Sequence, residues 1–397
     1  MMPLVFTSFT ATSCIGRGRA QTLEALRLKR SGLARCAFET VELETHVGEV
    51  AGVDVQQLPA PLKAFDCRNN RLAFLALQQD GFIEAVARSA AKWGRRRVGV
   101  FLGTSTSGIL QTELAYRRRD PASGLLPEDF RYATTHNSFS VAAFARQLLQ
   151  LEGPAVAIGS ACSSSAKAFG SARHMIESGL IDAAVVGGVD SLCLTTLYGF
   201  HSLQLTSRGP CRPFDVARDG ISIGEAAAFV LLERPAQSLD ADAVTLLGVG
   251  ESSDAYHMSA PHPEGLGARL AMQAALGEAG LAPADIDYIN LHGTGTPSND
   301  SAESQAINAI FGSAIACSST KGATGHALGA AGALEAVICG LALRHGLLPG
   351  GVNTRQIDPA LQVRYITEPE ERGISHVLSN SFGFGGTNCA LVIGRAL

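Results

Sequence analysis

The sequence predicts an α/β fold in which one architecture occurs twice, and three observations carry that expectation. Short β-branched runs alternate with longer alanine-rich stretches of helical period, the pattern of largely parallel sheets covered on both faces by helices. In each half a strand runs through a tight turn into a small-residue helix: residues 156–159 lead through Cys162, and residues 315–318 lead through Lys321 and His326. Each half also closes on a hydrophobic strand, at 229–232 and at 391–393. Self-similarity on this scale reads as duplication.

The elements follow in order. A first strand is expected at 4–9, then strands at 97–102, 155–159, 183–187 and 226–232 in the first half. The second half offers strands at 288–291, 315–318, 377–380 and 389–393. Helices are expected at 70–91, 138–149, 164–177, 268–279, 301–311 and 327–343. The polar stretch 234–242 lacks apolar periodicity and marks the boundary between a first half, 1–235, and a second, 236–397. Length agrees, since 397 residues provide for two cores of about 150 to 200 residues each.

Composition excludes several classes. Charged residues make up 17% and AVILMFWYC residues 46%, so the chain reads as a packed globule and not as a disordered tail. A formal charge of -4, with no long basic run, argues against nucleic-acid binding. Arginines nevertheless cluster at 95–97 and 117–119, as a solvated surface or as a face for an acidic partner. The nine cysteines show no CxxC pair and no zinc-like Cys/His spacing, which suits reduced thiols. No secretory leader pattern is present at 1–13, so a cytoplasmic protein is expected. The apolar run 327–343 carries Glu335 near its middle and reads as a buried core helix, not a membrane span.

Four motifs hold residues suited to chemistry. Cys162, in GSACSSSAKAFGSA, sits where a strand ends and a helix begins, where the helix dipole is expected to lower a thiol pKa; otherwise it is one more small buried hydrophobe. NLHGTGTPSND delivers His292 into a turn of glycines and threonines, either as a loop residue or as a hydrogen-bond donor to a substrate oxygen. SSTKGATGHALGAAGALE places Lys321 and His326 at the mouth of a close-packing helix and matches no phosphate-loop pattern. NSFGFGGTN sets Phe382 and Phe384 among glycines, as a tight hairpin or as a source of N–H groups aimed at an oxyanion. A cysteine, two histidines, a lysine and a glycine loop together are what carbon–carbon bond formation between thioesters requires.

These motifs resemble those of the β-ketoacyl-acyl carrier protein synthases of the KAS I/II type, within the thiolase superfamily. The nucleophile motif falls on 160–165, HGTxTxxxD on 292–300, KxxxGH on 321–326 and GFGGTN on 383–388. The resemblance implies a thiolase-like fold, duplicated halves in a five-layered α-β-α-β-α sandwich. It also implies a decarboxylative Claisen condensation. Cys162 would take an acyl chain from a phosphopantetheine carrier, with the N–H groups of Cys162 and Phe384 as oxyanion hole. His292 and His326 would bind the malonyl thioester carbonyl. Lys321 would orient the histidine loops, in contact with Glu303, and Phe384 would gate the acyl pocket. Thr294, Thr296 and Phe382 would support the site.

By the same resemblance the partner is an acyl carrier protein, and the assembly is a homodimer through the strand before Cys162, or a heterodimer with a chain-length-factor-like paralogue. No cofactor is required beyond the carrier's phosphopantetheine, although some members hold a structural monovalent cation, here at Asn290, Glu335 and Asn380. Carrier docking would use Lys63, Arg68, Arg71, Arg117, Arg118, Arg119, Arg208 and Arg212. Gln111 and Thr112 match the start of the helix lining the acyl pocket and would make it partly polar. That feature, with the polar loop 104–108, points to a specialised synthase such as an aryl polyene enzyme. A non-catalytic chain-length partner would lack Cys162, and a degradative thiolase would carry a second catalytic cysteine near the C-terminus, where Cys389 is the candidate.

Overall fold

The computed structural model describes residues 3–235, 240 and 242–396; most of the expected boundary at 234–242 therefore lies outside the described residues. The principal strands of the first half are β1 (Leu4–Ser13), β2 (Val98–Gly103), β3 (Ala155–Ile158), β4 (Ala183–Asp190) and β5 (Ala226–Glu233). The second contributes β6 (Val244–Ser253), β7 (Tyr288–Asn290), β8 (Ala316–Ser318), β9 (His376–Gly383) and β10 (Thr387–Arg395). They run in space as β3-β2-β4-β5-β1 and as β8-β7-β9-β10-β6, the same order in both halves. The pairing repeats as well. The first three strands of each series are parallel to one another, and the last two are joined antiparallel. β1 and β6 link the two sheets through only two residue pairs, Leu4 with Leu246 and Val5 with Thr245.

The helices relevant to the site are α1 (Arg68–Leu77), α2 (Phe82–Trp93), α3 (Ile109–Arg117), α4 (Ser140–Leu148), α5 (Ser164–Glu177), α6 (Leu194–Ser202), α7 (Leu266–Ala279), α8 (Pro297–Phe311) and α9 (Ala331–His345). Three apolar clusters define the layers. α1, α2 and α4 cover the outer face of the first sheet through Val98, Val100, Leu102 and Val185. α7 and α8 cover the outer face of the second through Ile289, Leu378 and Val392. Between the sheets lie α5 and α9, packed against Phe101, Val186 and Val230 on one side and Val377, Leu391 and Ile393 on the other. The result is the five-layered sandwich expected from the sequence.

Small residues explain how two helices fit in the middle layer. A Cβ on Gly332 of α9 would lie 2.8 Å from Ala166 Cβ of α5, so any side chain there would force the pair apart. One helix, Leu328–His345, is long and apolar enough to cross a membrane by length and composition, but 89% of it is buried inside the fold, as expected of a core helix.

The helix α6 was not among those expected, and two further elements differ from expectation for reasons of backbone and packing. The helix expected at 70–91 is two helices, α1 and α2, broken at Asp80 and Gly81, whose φ values of 58° and 66° are left-handed. Strand β6 was not expected, because Gly248 and Gly250 break its hydrophobic pattern. Both are required by packing: a Cβ would lie 2.2 Å from the carbonyl of Ala275 and 1.9 Å from that of Ala271, respectively, both on α7.

Candidate active site

Strand β3 ends at Ile158, and the chain turns through Ala161, whose φ of 52° is left-handed, before α5 begins at Ser164. The turn is tied down locally. Ser164 Oγ donates to the Ala161 carbonyl at 2.6 Å and accepts the Ser160 N–H at 2.8 Å. Cys162 rides on this turn, 6% exposed. The equivalent crossover of the second half leaves β8 through Lys321 and reaches His326, whose backbone N–H donates to Ser222 at 2.7 Å. His292 follows β7, and Phe384 follows β9.

Four separated segments thus meet at one point. His326 Nε2 lies 3.1 Å from Cys162 Sγ, and the ligating atoms of Cys162, His292 and His326 all lie within 4.8 Å of one another. The two imidazoles stand edge to face, with centroids 5.2 Å apart, and Phe382 packs edge-on against His292 at 5.7 Å. The Phe384 N–H faces the Cys162 sulfur, and the Phe384 ring leans on Phe200 of α6 at 5.5 Å. A cleft of about 600 Å³ opens onto these groups, lined also by Leu205, Ile221, Thr294 and Thr296. Sequence spacing could not show this Cys–His–His grouping, since its members lie more than 30 residues apart.

The electrostatics correct one expectation. Burial pushes the Cys162 thiol up to about 12, outweighing the lowering by Lys321 and by the Phe384 N–H; Asp190 and Glu335 push it further up. The helix terminus alone does not make a thiolate here. Burial, aided by Lys321, holds both histidines well below their usual range, and His326 lowers His292 further, so both are neutral at pH 7.

Lys321 does not touch Glu303, as expected from the resemblance, because its ammonium pairs with Glu335 on α9; both side chains are at most 2% exposed. Glu303 instead holds the His292 loop. It accepts the N–H groups of His292 and Gly293 at 2.8 and 2.7 Å and the Asn380 amide at 3.0 Å. Thr296 caps α8 by accepting the Asn299 N–H, Thr294 bonds Thr296 at 2.9 Å, and Pro297 opens the helix. Asp300, the last residue of that motif, accepts the Phe214 N–H at 2.8 Å.

The three residues expected at a cation do not form one set of side chains. Glu335 packs in the inner layer and β7 directs Asn290 to it, whereas Asn380 points to the outer layer, toward Met272 and Glu303. The expected pocket residues are also placed differently. Gln111 Oε1 accepts the Arg68 N–H at 3.2 Å, and Thr112 Oγ1 lies 2.6 Å from His136 Nδ1, so both side-chain oxygens already have partners.

Among the expected docking residues, Arg68 is corrected outright. It is 2% exposed and bound to Glu225, Asp54 and Glu49, and its guanidinium lies over Phe38. Glu225 supplied the missing signal, but it lies 157 residues away in sequence. Arg71 is held by Asp66, Arg117 by Thr40, Arg118 by Asp129 and Arg212 by Asp219. Lys63, Arg119 and Arg208 are exposed, with no ion pair among the described residues.

Family models match this geometry to known proteins. The model described as "Beta-ketoacyl synthase, N-terminal domain" matches residues 3–238, and "Beta-ketoacyl synthase, C-terminal domain" matches 243–355. The chain belongs to the beta-ketoacyl synthase family. This beta-ketoacyl synthase is 40% identical over 259 residues to 3-oxoacyl-[acyl-carrier-protein] synthase 2 of Coxiella burnetii, covering 62% of the chain and 63% of the relative. It is 40% identical to the mitochondrial 3-oxoacyl-[acyl-carrier-protein] synthase of Arabidopsis thaliana, covering 61% and 56%. The match thus spans less than two thirds of those two relatives. Nodulation protein E of Rhizobium meliloti is 36% identical, covering 74% and 75%. Among solved structures, one chain of the complex of the ketosynthase ApeO with its chain length factor ApeC from Xenorhabdus doucetiae superimposes with a TM-score of 0.90 at 40% identity, covering 100% and 98%. The ishigamide ketosynthase/chain length factor gives 0.89 at 27%, with both chains covered fully.

Proposed function

We propose that the protein is a 3-oxoacyl-[acyl-carrier-protein] synthase that condenses an acyl chain on Cys162 with malonyl-acyl carrier protein. The observation that carries this is the 3.1 Å approach of His326 Nε2 to Cys162 Sγ beside a second neutral histidine. A thiol held near 12 has almost no thiolate at pH 7, so its proton must leave as sulfur attacks. His326 takes that proton while Sγ bonds the acyl carbonyl, and the departing pantetheine sulfur receives it. The N–H groups of Cys162 and Phe384 hold the oxyanion. Malonyl thioester then binds with its carbonyl oxygen on the Nε2–H groups of His292 and His326, the His326 ring proton moving from Nδ1 to Nε2 once the thiol proton has left. Loss of carbon dioxide leaves an enolate on that oxygen; its carbon attacks the acyl-Cys162 and expels the Cys162 thiolate, which takes up a proton from solvent to restore the thiol. Burial and the Lys321 ammonium, which pairs with Glu335, bias both imidazoles toward the uncharged form.

Thiolase chemistry is less well supported, because Cys389 is fully buried in the inner layer and does not line the cleft. A non-catalytic chain-length role does not account for the Cys–His–His grouping. The specialised assignment is supported by the 40% identity to a chain of the solved complex of the ketosynthase ApeO with its chain length factor. Here too the edge strand β3 pairs only with β2 among the described residues, and Val156 is 37% exposed, which suits a second chain of the same fold, identical or paralogous. A carrier protein, being acidic, would meet Arg208 and Lys63 in a cytoplasmic setting. A structural monovalent cation would be held by Asn290 Oδ1, Glu335 Oε2 and Ser381 Oγ, which are buried without hydrogen-bond partners, and would give those desolvated oxygens a ligand. The deciding experiment incubates the protein, alone and with candidate paralogues, with acyl-carrier protein. An acyl adduct on Cys162 that malonyl-carrier converts to 3-oxoacyl product supports the reading; no adduct under any pairing overturns it.

A further inference from the structure

Two loops occupy equivalent places in the two halves, each following the second strand of its series. The loop after β7 carries His292 and is held by a buried carboxylate, Glu303, that accepts two consecutive backbone N–H groups. The loop after β2, Thr104-Ser105-Thr106-Ser107-Gly108, is held in the same way by Asp190, the last residue of β4 and 1% exposed. Asp190 accepts the N–H groups of Ser105 and Thr106, both at 2.8 Å, and the hydroxyls of Thr104 and Thr106 at 2.7 and 2.8 Å. No cation pairs with it among the described residues. An ionised carboxylate, which only accepts, suits such a ring of donors, whereas an amide would turn an NH₂ group against one of them.

The loop so held reaches the nucleophile turn. Ser105 Oγ donates to the carbonyl of Ala161 at 3.3 Å, and Ala161 keeps a left-handed φ of 52° although it is not glycine.

We propose that Asp190 is a positioning residue for acyl transfer, acting through Ser105 to fix the Ala161 carbonyl and so hold Cys162 Sγ between His326 Nε2 and the Phe384 N–H. The proposal rests on Cys162 being the acyl acceptor. The two halves then use one device for different ends: a carboxylate-bound loop presents an imidazole to substrate in the second half and buttresses the thiol turn in the first.

The test compares wild-type protein with Ser105→Ala, Ser105→Thr and Asp190→Asn. Each is followed by intact-mass kinetics of acyl transfer from acyl-carrier protein to Cys162, by decarboxylation of malonyl-pantetheine, and by Tm. Ser105→Ala should lower kcat for acyl transfer about three- to tenfold with KM and decarboxylation unchanged, and Ser105→Thr should restore it. Asp190→Asn should lower acyl transfer by about ten- to a hundredfold, more than it lowers decarboxylation. Unchanged acyl transfer in Ser105→Ala and Asp190→Asn, or losses of both half-reactions in equal proportion, would overturn the proposal. A wild-type protein that takes no acyl group on Cys162 would instead overturn the reading of the nucleophile.

Discussion

Compared at their third strands, the two halves do the same thing with different residues. β3 runs through a turn into α5 and delivers a thiol, whereas β8 runs through a turn toward α9 and delivers an ammonium and an imidazole. Both helices lie in the middle layer, so duplication aims their starts at the same region between the sheets. The difference teaches that the fold supplies convergence and the sequence supplies asymmetry. In the proposed condensation one crossover would carry the group to be acylated, and the other the groups that would move its proton and stabilise an enolate. Neither half alone contains both.

The largest effect expected from breaking this division is at the thiol. Cys162→Ala should abolish condensation, measured as 3-oxoacyl product, while decarboxylation of malonyl-carrier remains measurable, because His292 and His326 act on the thioester without the sulfur. Loss of decarboxylation together with condensation would show that the halves are not separable in this way.

Next come the histidines. His292→Ala and His326→Ala should each slow decarboxylation by about a hundredfold, as for loss of an oxyanion donor. The 3.1 Å contact sharpens the comparison: only His326→Ala should also slow acylation of Cys162, measured by burst kinetics. Equal acylation rates in the two variants would remove His326 as the proton acceptor.

A smaller effect concerns pH. Burial raises Glu303 and Glu335 to about 7, above the usual carboxylate value of 4.5. In that interval the folded protein binds more protons than the unfolded chain, so stability is fully present at the acid end and falls as pH rises from about 4.5 to about 7. Denaturant unfolding across this range should show the decline, and Glu303→Gln should flatten it. A flat profile in the wild-type protein would mean that the loop donors, and not burial, set the Glu303 carboxylate.

The smallest effect is at the rim. Arg208→Glu should raise KM for carrier-bound substrate a few-fold, leave small pantetheine thioesters unaffected, and exceed the effect of Arg118→Glu, since Arg118 is already paired with Asp129. Equal effects on both substrates would place Arg208 off the docking path.

What the sequence disclosed and what it withheld follow from the range of the interactions. The nucleophile turn and α5 were legible because a strand, small residues and a helix are contiguous, and the helix expected at 164–177 is the one observed. The histidine motifs were legible for the same reason. Strand β6 was not, because Gly248 and Gly250 answer to α7 rather than to their neighbours in the chain. Arg68 looked like a surface cation until Glu225 enclosed it, and Lys321 was assigned to Glu303 until α9 brought Glu335 against it. Gln111 and Thr112 looked unpaired only because their partners, Arg68 and His136, are 43 and 24 residues distant.

The open edge of β3 has a consequence in time and concentration. This strand is four residues long and ends four residues before Cys162, and its outer N–H and carbonyl groups face no strand of the same chain among the described residues. An uncovered edge frays more readily than one paired on both sides. With a second chain on this edge, as proposed above, dilution below the dissociation constant should loosen the lead-in to the thiol before it loosens the histidine loops, which are anchored within one chain by Glu303 and Ser222. Amide exchange at 155–158 would report that loss first, and under the proposed pairing a freshly made chain would acquire a firmly seated nucleophile only once that edge is covered.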